Sequence, residues 1–199
     1  MQRVRKAIFP VAGYGTRFLP ATKSIPKEML PVLDRPVIHY AVEEAVRAGC
    51  DTLIFITGRH KRAIEDYFDS APELEATLRA KGKDEAADLI HAILPEHVNC
   101  IFIRQSVQKG LGHAVLCAAP VIGDEPFVVS LADDFLGVEG QDFLGEMVDA
   151  YEQTSRSQLA VMPVEGEDIS LYGVVKPGNA EFEVAGLVEK PALKDAPSN

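Results

Sequence analysis

Lys6-Ala7-Ile8-Phe9-Pro10-Val11, leading into Ala12-Gly13-Tyr14-Gly15-Thr16-Arg17, is the stretch on which the fold turns. A short apolar run that ends in a glycine turn reads as a strand delivered into a loop. Residues 52–57, 99–104, 127–132 and 158–164 repeat that short β-rich pattern. Between strands, residues 37–49 place Ile38, Ala41, Val42, Ala45 and Val46 on one helical stripe, with Pro36 at the start and Gly49 as a stop. A second stripe runs over 143–151 through Phe143, Met147 and Tyr151. Strands alternating with helices of this length require right-handed crossovers. They predict a doubly wound, Rossmann-like α/β fold: a mostly parallel, mixed sheet with helices on both faces.

Residues 72–95, rich in Ala, Glu, Lys and Asp, read as a helical insertion of amphipathic surface helices. The turn signal Pro177-Gly178-Asn179, before strand-like residues 181–188, predicts a hairpin. No internal repeat or low-complexity linker interrupts the chain, so residues 1–199 read as one domain.

The composition, 47% hydrophobic and 25% charged, is that of a globular protein and not of a disordered or fibrous one. No apolar run is long enough for a membrane span, and the basic start, residues 1–6, leads into a first strand and not into a signal peptide. Cys50, Cys100 and Cys117 lie far apart in apolar surroundings, which predicts reduced thiols and a cytoplasmic location. A formal net charge of -10 repels nucleic acid and anionic membranes alike. Any anionic ligand therefore needs a local basic site.

Arg17, Lys23 and Lys27 supply one, directly after the glycine turn. A dinucleotide fingerprint would place glycine where Phe18 stands, and no G-x-x-x-x-G-K-[S/T] phosphate loop occurs. What remains is a turn that exposes backbone N–H groups beside three cations, a combination suited to a polyphosphate. On these residues alone, a tight turn with a solvated cationic face stays equally open. Asp133 and Asp134 follow the strand at 127–132 and so reach the same carboxyl edge of the sheet. Paired carboxylates there repel without a cation, and Asp133 reads as a ligand of Mg²⁺, which takes few carboxylates and completes its shell with phosphate oxygens. Asp134 reads equally as a turn cap. His113 opens an apolar helix and reads as a hydrogen-bonded structural histidine, while His39, His60, His91 and His97 form no metal-ligand spacing.

The longer string decides between these readings. Gly13-Tyr14-Gly15-Thr16-Arg17-Phe18-Leu19-Pro20, followed by Lys27-Glu28-Met29-Leu30-Pro31, resembles the signature of the sugar-nucleotide pyrophosphorylases. Residues 18–23 resemble the bacterial UTP:glucose-1-phosphate uridylyltransferases within it. The likeness continues through Thr57-Gly58-Arg59, Gln105, Gly110-Leu111-Gly112-His113-Ala114, Asp133-Asp134, Tyr172-Gly173-Val174-Val175 and Val188-Glu189-Lys190-Pro191. It implies a nucleotidyltransferase-type fold in which Arg17 and Lys27 carry catalysis by binding nucleotide phosphates. Ala12, Gly13, Glu28, Gln105 and Gly110 would surround base and ribose, with Gly15 and Thr16 in the same nucleotide-binding turn. Glu28 and Gln105 can supply the donors and acceptors a uracil edge requires, and Gly110 lets a base approach the backbone.

Gly173, Glu189 and Lys190 would meet the sugar phosphate; without the resemblance, Glu189-Lys190 is an ordinary exposed pair. The implied reaction joins UTP and glucose 1-phosphate into UDP-glucose and pyrophosphate with Mg²⁺ as cofactor. The resemblance leaves open a sister thymidylyl-, adenylyl- or cytidylyltransferase and a catalytically silent relative. Chains of the family continue well past Asn199, with a second metal-binding aspartate and helices used in homo-oligomer assembly. The chain thus reads as C-terminally incomplete, with binding expected to outlive turnover.

Overall fold

The computed structural model describes residues 2–134 and 142–199. They form two compact units, Met1–Gln158 and Leu159–Asn199. The first contains strand β1 (Lys6–Pro10), a short antiparallel pair β2 (Pro31–Val32) and β3 (Arg35–Pro36), then β4 (Thr52–Thr57), β5 (Asn99–Arg104) and β6 (Phe127–Val129). Its main sheet has the order β5-β4-β1-β6, and all three strand pairs are parallel. From β1 the chain steps outward through β4 to β5, then returns to place β6 on the other side of β1. The strand order therefore reverses between β1 and β6, where an open parallel sheet leaves a crevice beyond its carboxyl ends.

The helices are α1 (Val37–Arg47), α2 (Arg62–Phe68), α3 (Pro72–Ala80), α4 (Asp84–His91), α5 (Leu111–Cys117), α6 (Ala119–Ile122) and α7 (Phe143–Thr154). Alternation along the strands sends side chains to opposite faces of the sheet. Ala7, Phe9, Leu53 and Phe55 pack with Ile38, Val42 and Ala45 of α1, Ile64 and Phe68 of α2, and Leu144 and Val148 of α7. Ile8, Ile54 and Ile56 face the other way, onto Ala114 of α5, Ala118, and Ile122 of α6. Both faces are covered, as the doubly wound reading required. Phe9, Phe55 and Phe102 stand in register across β1, β4 and β5, with neighbouring rings 5.1 Å apart, and Phe68 stacks on Phe55 at the same distance.

Two expectations about strands need correction. The run 127–132 is a strand only over Phe127–Val129; Ser130 still donates to the Ile8 carbonyl at 3.0 Å, and Asp134 N–H then closes a turn on Leu131 at 3.0 Å. Residues 158–164 form no strand, and Leu159, Val161 and Met162 are exposed. A β-rich run becomes a strand only where a neighbouring backbone completes its ladder and a core takes its side chains, and this run has neither among the described residues. In the second unit, β7 (Gly173–Pro177) and β8 (Val184–Glu189) pair antiparallel, which is the expected hairpin.

No helix among the described residues is long and apolar enough to cross a membrane. All three cysteines are free thiols. Burial pushes Cys50 up to about 12 and Cys100 up to about 11, so both stay protonated and unreactive.

His39 on α1 ties the β2–β3 pair to α2. Arg35 can only donate, so its contact at 3.1 Å makes His39 Nε2 an acceptor and leaves the proton on Nδ1, 3.0 Å from the Tyr67 hydroxyl. Burial, reinforced by Arg35 and opposed by Glu43 and Asp34, lowers the His39 pKa below 6.5. The neutral ring is the form the fold prefers. Between the folded and unfolded values the unfolded chain binds more protons, so this stabilisation is complete above the unfolded value and is lost as pH falls through the folded one. Urea midpoints should therefore drop between pH 7 and pH 5 in the parent and drop less in His39→Gln; equal drops would show that the ring does not titrate with unfolding.

Candidate functional site

A cleft of about 1210 Å³ opens beyond the carboxyl ends of β1, β4 and β5. Ala12, Gly13 and Thr16 line it after β1, Gly58 and Lys61 after β4, and Gln105 and Gln108 after β5. The glycine turn is held from both sides. Val11 N–H donates to Ile56 O at 3.0 Å, and the Thr22 hydroxyl donates to Gly15 O at 2.7 Å. Gly15 adopts φ 65°, and a Cβ there would stand 3.0 Å from Lys27 Cβ and 3.3 Å from Thr22 Cγ2. The absence of a side chain at 15 is what lets the Lys27 segment pack beneath the turn.

Lys27 begins a 3-10 turn, Lys27–Met29, set by Pro26. Its ammonium donates to Asp133 Oδ2 at 2.5 Å, a pair formed across 106 positions of sequence. Burial raises the pKa of Asp134, and the neighbouring Asp133 charge raises it further, while Lys27 and Arg17 act against both. Arg17, Lys27, Asp133 and Asp134 thus share one electrostatic environment at the switch point of the sheet.

Deeper in, Glu28 has no exposed surface and Lys61 is 5% exposed; Lys61 Nζ donates to Glu28 Oε2 at 2.6 Å. Gln105 is also buried. Its amide Nε2 lies 3.3 Å from the Gly110 carbonyl, to which it donates, and 2.8 Å from His113 Nδ1. His113 is therefore hydrogen-bonded within the scaffold, as expected of a structural histidine. Gly110, at φ 93° and ψ 178°, uses a backbone region essentially closed to other residues. Gln108 Nε2 reaches back to the Ala12 carbonyl at 2.6 Å and joins the β5 loop to the glycine turn.

The first unit therefore gathers Ala12, Gly13, Gly15, Thr16, Arg17, Lys27, Glu28, Gln105, Gly110 and Asp133 in the loops at one end of its sheet. The second unit gathers Gly173, Glu189 and Lys190. Gly173 opposes Glu189 across the hairpin, Lys190 N–H donates to Tyr172 O at 3.0 Å, and Lys190 Nζ lies 3.7 Å from Glu189 Oε1. Lys61 and Gln108 are site residues that the sequence did not single out. Lys61 stands in a run of cationic or titratable residues, Arg59-His60-Lys61-Arg62, in which nothing marks the buried member.

A family model described as nucleotidyl transferase matches residues 6–199. The UTP--glucose-1-phosphate uridylyltransferase of Bacillus subtilis is 49% identical over 202 residues, covering all of this chain and 68% of the relative. The chain belongs to this nucleotidyl transferase family. Among solved family members, the UTP-bound UDP-glucose pyrophosphorylase of Acinetobacter baumannii superposes with a TM-score of 0.91 at 45% identity, over 98% of this chain and 71% of the other. A UDP-glucose pyrophosphorylase complexed with UDP-glucose superposes at 0.86 and 44% identity, over 98% and 72%. The family fold is thus the parallel sheet and cleft described above.

Proposed function

We propose that this nucleotidyltransferase forms UDP-glucose and pyrophosphate from UTP and glucose 1-phosphate, with the nucleotide seated in the cleft beyond β1, β4 and β5. The observation that carries the reading is the Lys27–Asp133 pair at the switch point, beside the glycine turn, in a chain whose similar relatives act on or hold these molecules. A phosphate oxygen of glucose 1-phosphate attacks the α-phosphorus of UTP. The new O–P bond forms as the bond to the β-phosphate oxygen breaks, and pyrophosphate departs. The attacking oxygen is already anionic, so no protein nucleophile or base is required. Positioning and charge neutralisation carry the rate. Arg17 and Lys27 hold phosphate charge, and backbone N–H groups of the glycine turn add donors without side-chain reorganisation. Gly173, Glu189 and Lys190 are assigned to the sugar phosphate on the strength of the resemblance.

Asp133 fits Mg²⁺ in its donor chemistry: a carboxylate, with Asp134 adjacent, at an edge where substrate phosphates arrive. The described residues hold no cluster of three or more His, Cys, Asp or Glu, and Asp133 would hold the cation together with substrate phosphate oxygens and the further aspartate that the resemblance implies. When bound, Mg²⁺ supplies charge neutralisation to the phosphates. Release of pyrophosphate, homo-oligomeric assembly and a reducing cytoplasmic setting belong to the same proposal, the last supported by three free thiols.

Calorimetry with UTP, dTTP, ATP and UDP-glucose tests the assignment; equal affinity for UTP and ATP overturns it. Gly13 gives a sharper check on location. A Cβ added there meets nothing within 4 Å. Gly13→Ala should therefore leave stability within about 0.5 kcal/mol of the parent while weakening UTP binding through intrusion into the cleft. Unchanged affinity would place the nucleotide elsewhere.

A further inference from the structure

Glu28 and Lys61 present a pattern that packing alone does not explain. Both side chains are almost completely buried, at 1% and 6% exposure, and their 2.6 Å contact joins segments 33 residues apart. Burying two charges costs more than their attraction commonly returns, and apolar residues of similar size often serve stability as well or better. The carboxylate is also only half satisfied. Among the described residues Glu28 Oε2 is engaged by Lys61, whereas the buried Oε1 has no partner. A buried acceptor without a donor costs free energy that a purely structural pair would have no reason to retain.

The location supplies the reason. Lys61 lines the cleft, at the loop after β4 and just ahead of α2. Glu28 is the middle residue of the 3-10 turn whose first residue, Lys27, holds Asp133. One buried contact therefore connects the cleft wall to the turn that aims the phosphate-binding lysine. Burial lowers the Lys61 pKa, an effect opposed by its hydrogen bond to Glu28.

We propose that Lys61 is a positioning residue of the nucleotide site, fixing the carboxylate of Glu28 beneath the cleft and, through the turn that carries Glu28, the ammonium of Lys27. The inference rests on the reading of this cleft as the uridine nucleotide site. It assigns Lys61 no contact with the reacting atoms. Lys61 acts through Glu28, and its replacement leaves Arg17, Lys27 and Asp133 chemically intact.

Two variants of the 199-residue chain separate a functional from a structural role. Lys61→Met strands the Glu28 charge and is expected to lower the melting temperature. The double variant Lys61→Met with Glu28→Met removes both charges together, so the melting temperature should return to near the parent value. UTP affinity, measured by calorimetry on the folded proteins, should be at least tenfold weaker than in the parent in Lys61→Met and no weaker still in the double variant, because Lys61 acts through Glu28. Parent-like affinity in the double variant overturns the proposal, because the pair would then serve packing only. Retention of parent affinity by Lys61→Met overturns it as well. Failure of the parent chain to bind UTP at all would instead remove the uridine reading itself, and this inference with it.

Discussion

In a complete enzyme of this family, replacing the lysine at position 27 by Ala is expected to slow nucleotidyl transfer by about 2 to 4 kcal/mol of activation free energy, the scale of losing one preorganised charge donor. That corresponds to roughly 30- to 1,000-fold in rate. Lys27 is about one-fifth exposed and held by Asp133, and its Cβ packs under Gly15. Its ammonium is therefore oriented before substrate arrives, and the positive charge needs no reorganisation as negative charge gathers on the phosphates. In the variant, Asp133 also loses the cation that balances it, so the approach of UTP is opposed by an uncompensated carboxylate. Pyrophosphate release measures the rate, and calorimetry should show weaker UTP binding in the same variant. Turnover equal to the parent would remove Lys27 from the machinery, whatever the cleft binds.

The scaffold was far more legible than its internal contacts, for a physical reason. Strands 52–57 and 99–104 appear at the predicted residues because each is a short β-rich run closed by turn signals, a local constraint that holds for the buried central strand and for the partly exposed edge strand alike. The helix over Val37–Arg47 follows equally from its own stripe. The failure at 158–164 has the opposite character: its composition favours a strand, yet strand formation depends on a partner that local sequence does not name. Lys27 and Asp133 each carried a local signal, a cation after a glycine turn and a carboxylate at a strand end. Their contact follows only from β6 lying beside β1. Lys61 carried no signal, since burial selects it from a run of four cationic or titratable residues through Glu28, which lies on another segment.

Phe55→Ala should produce the largest loss of stability in the first unit, about 3 to 5 kcal/mol, the usual range for deleting a fully buried aromatic ring. Phe55 has no exposed surface and stacks on Phe9, Phe68 and Phe102, so its loss opens a cavity between three strands and a helix at once. Close-packed neighbours fixed by sheet register cannot collapse far to fill it. The cleft, however, is lined by residues at and beyond the strand ends, and Phe55 is not among them. The variant should therefore unfold at a lower urea midpoint while its folded fraction binds UTP as the parent does. Ligand linkage makes this measurable: at a hundred times the dissociation constant, UTP should stabilise parent and variant alike by about 2.7 kcal/mol. If UTP stabilised the parent but not Phe55→Ala, the aromatic ladder would have to be counted as part of the nucleotide site and not only as the frame that carries it.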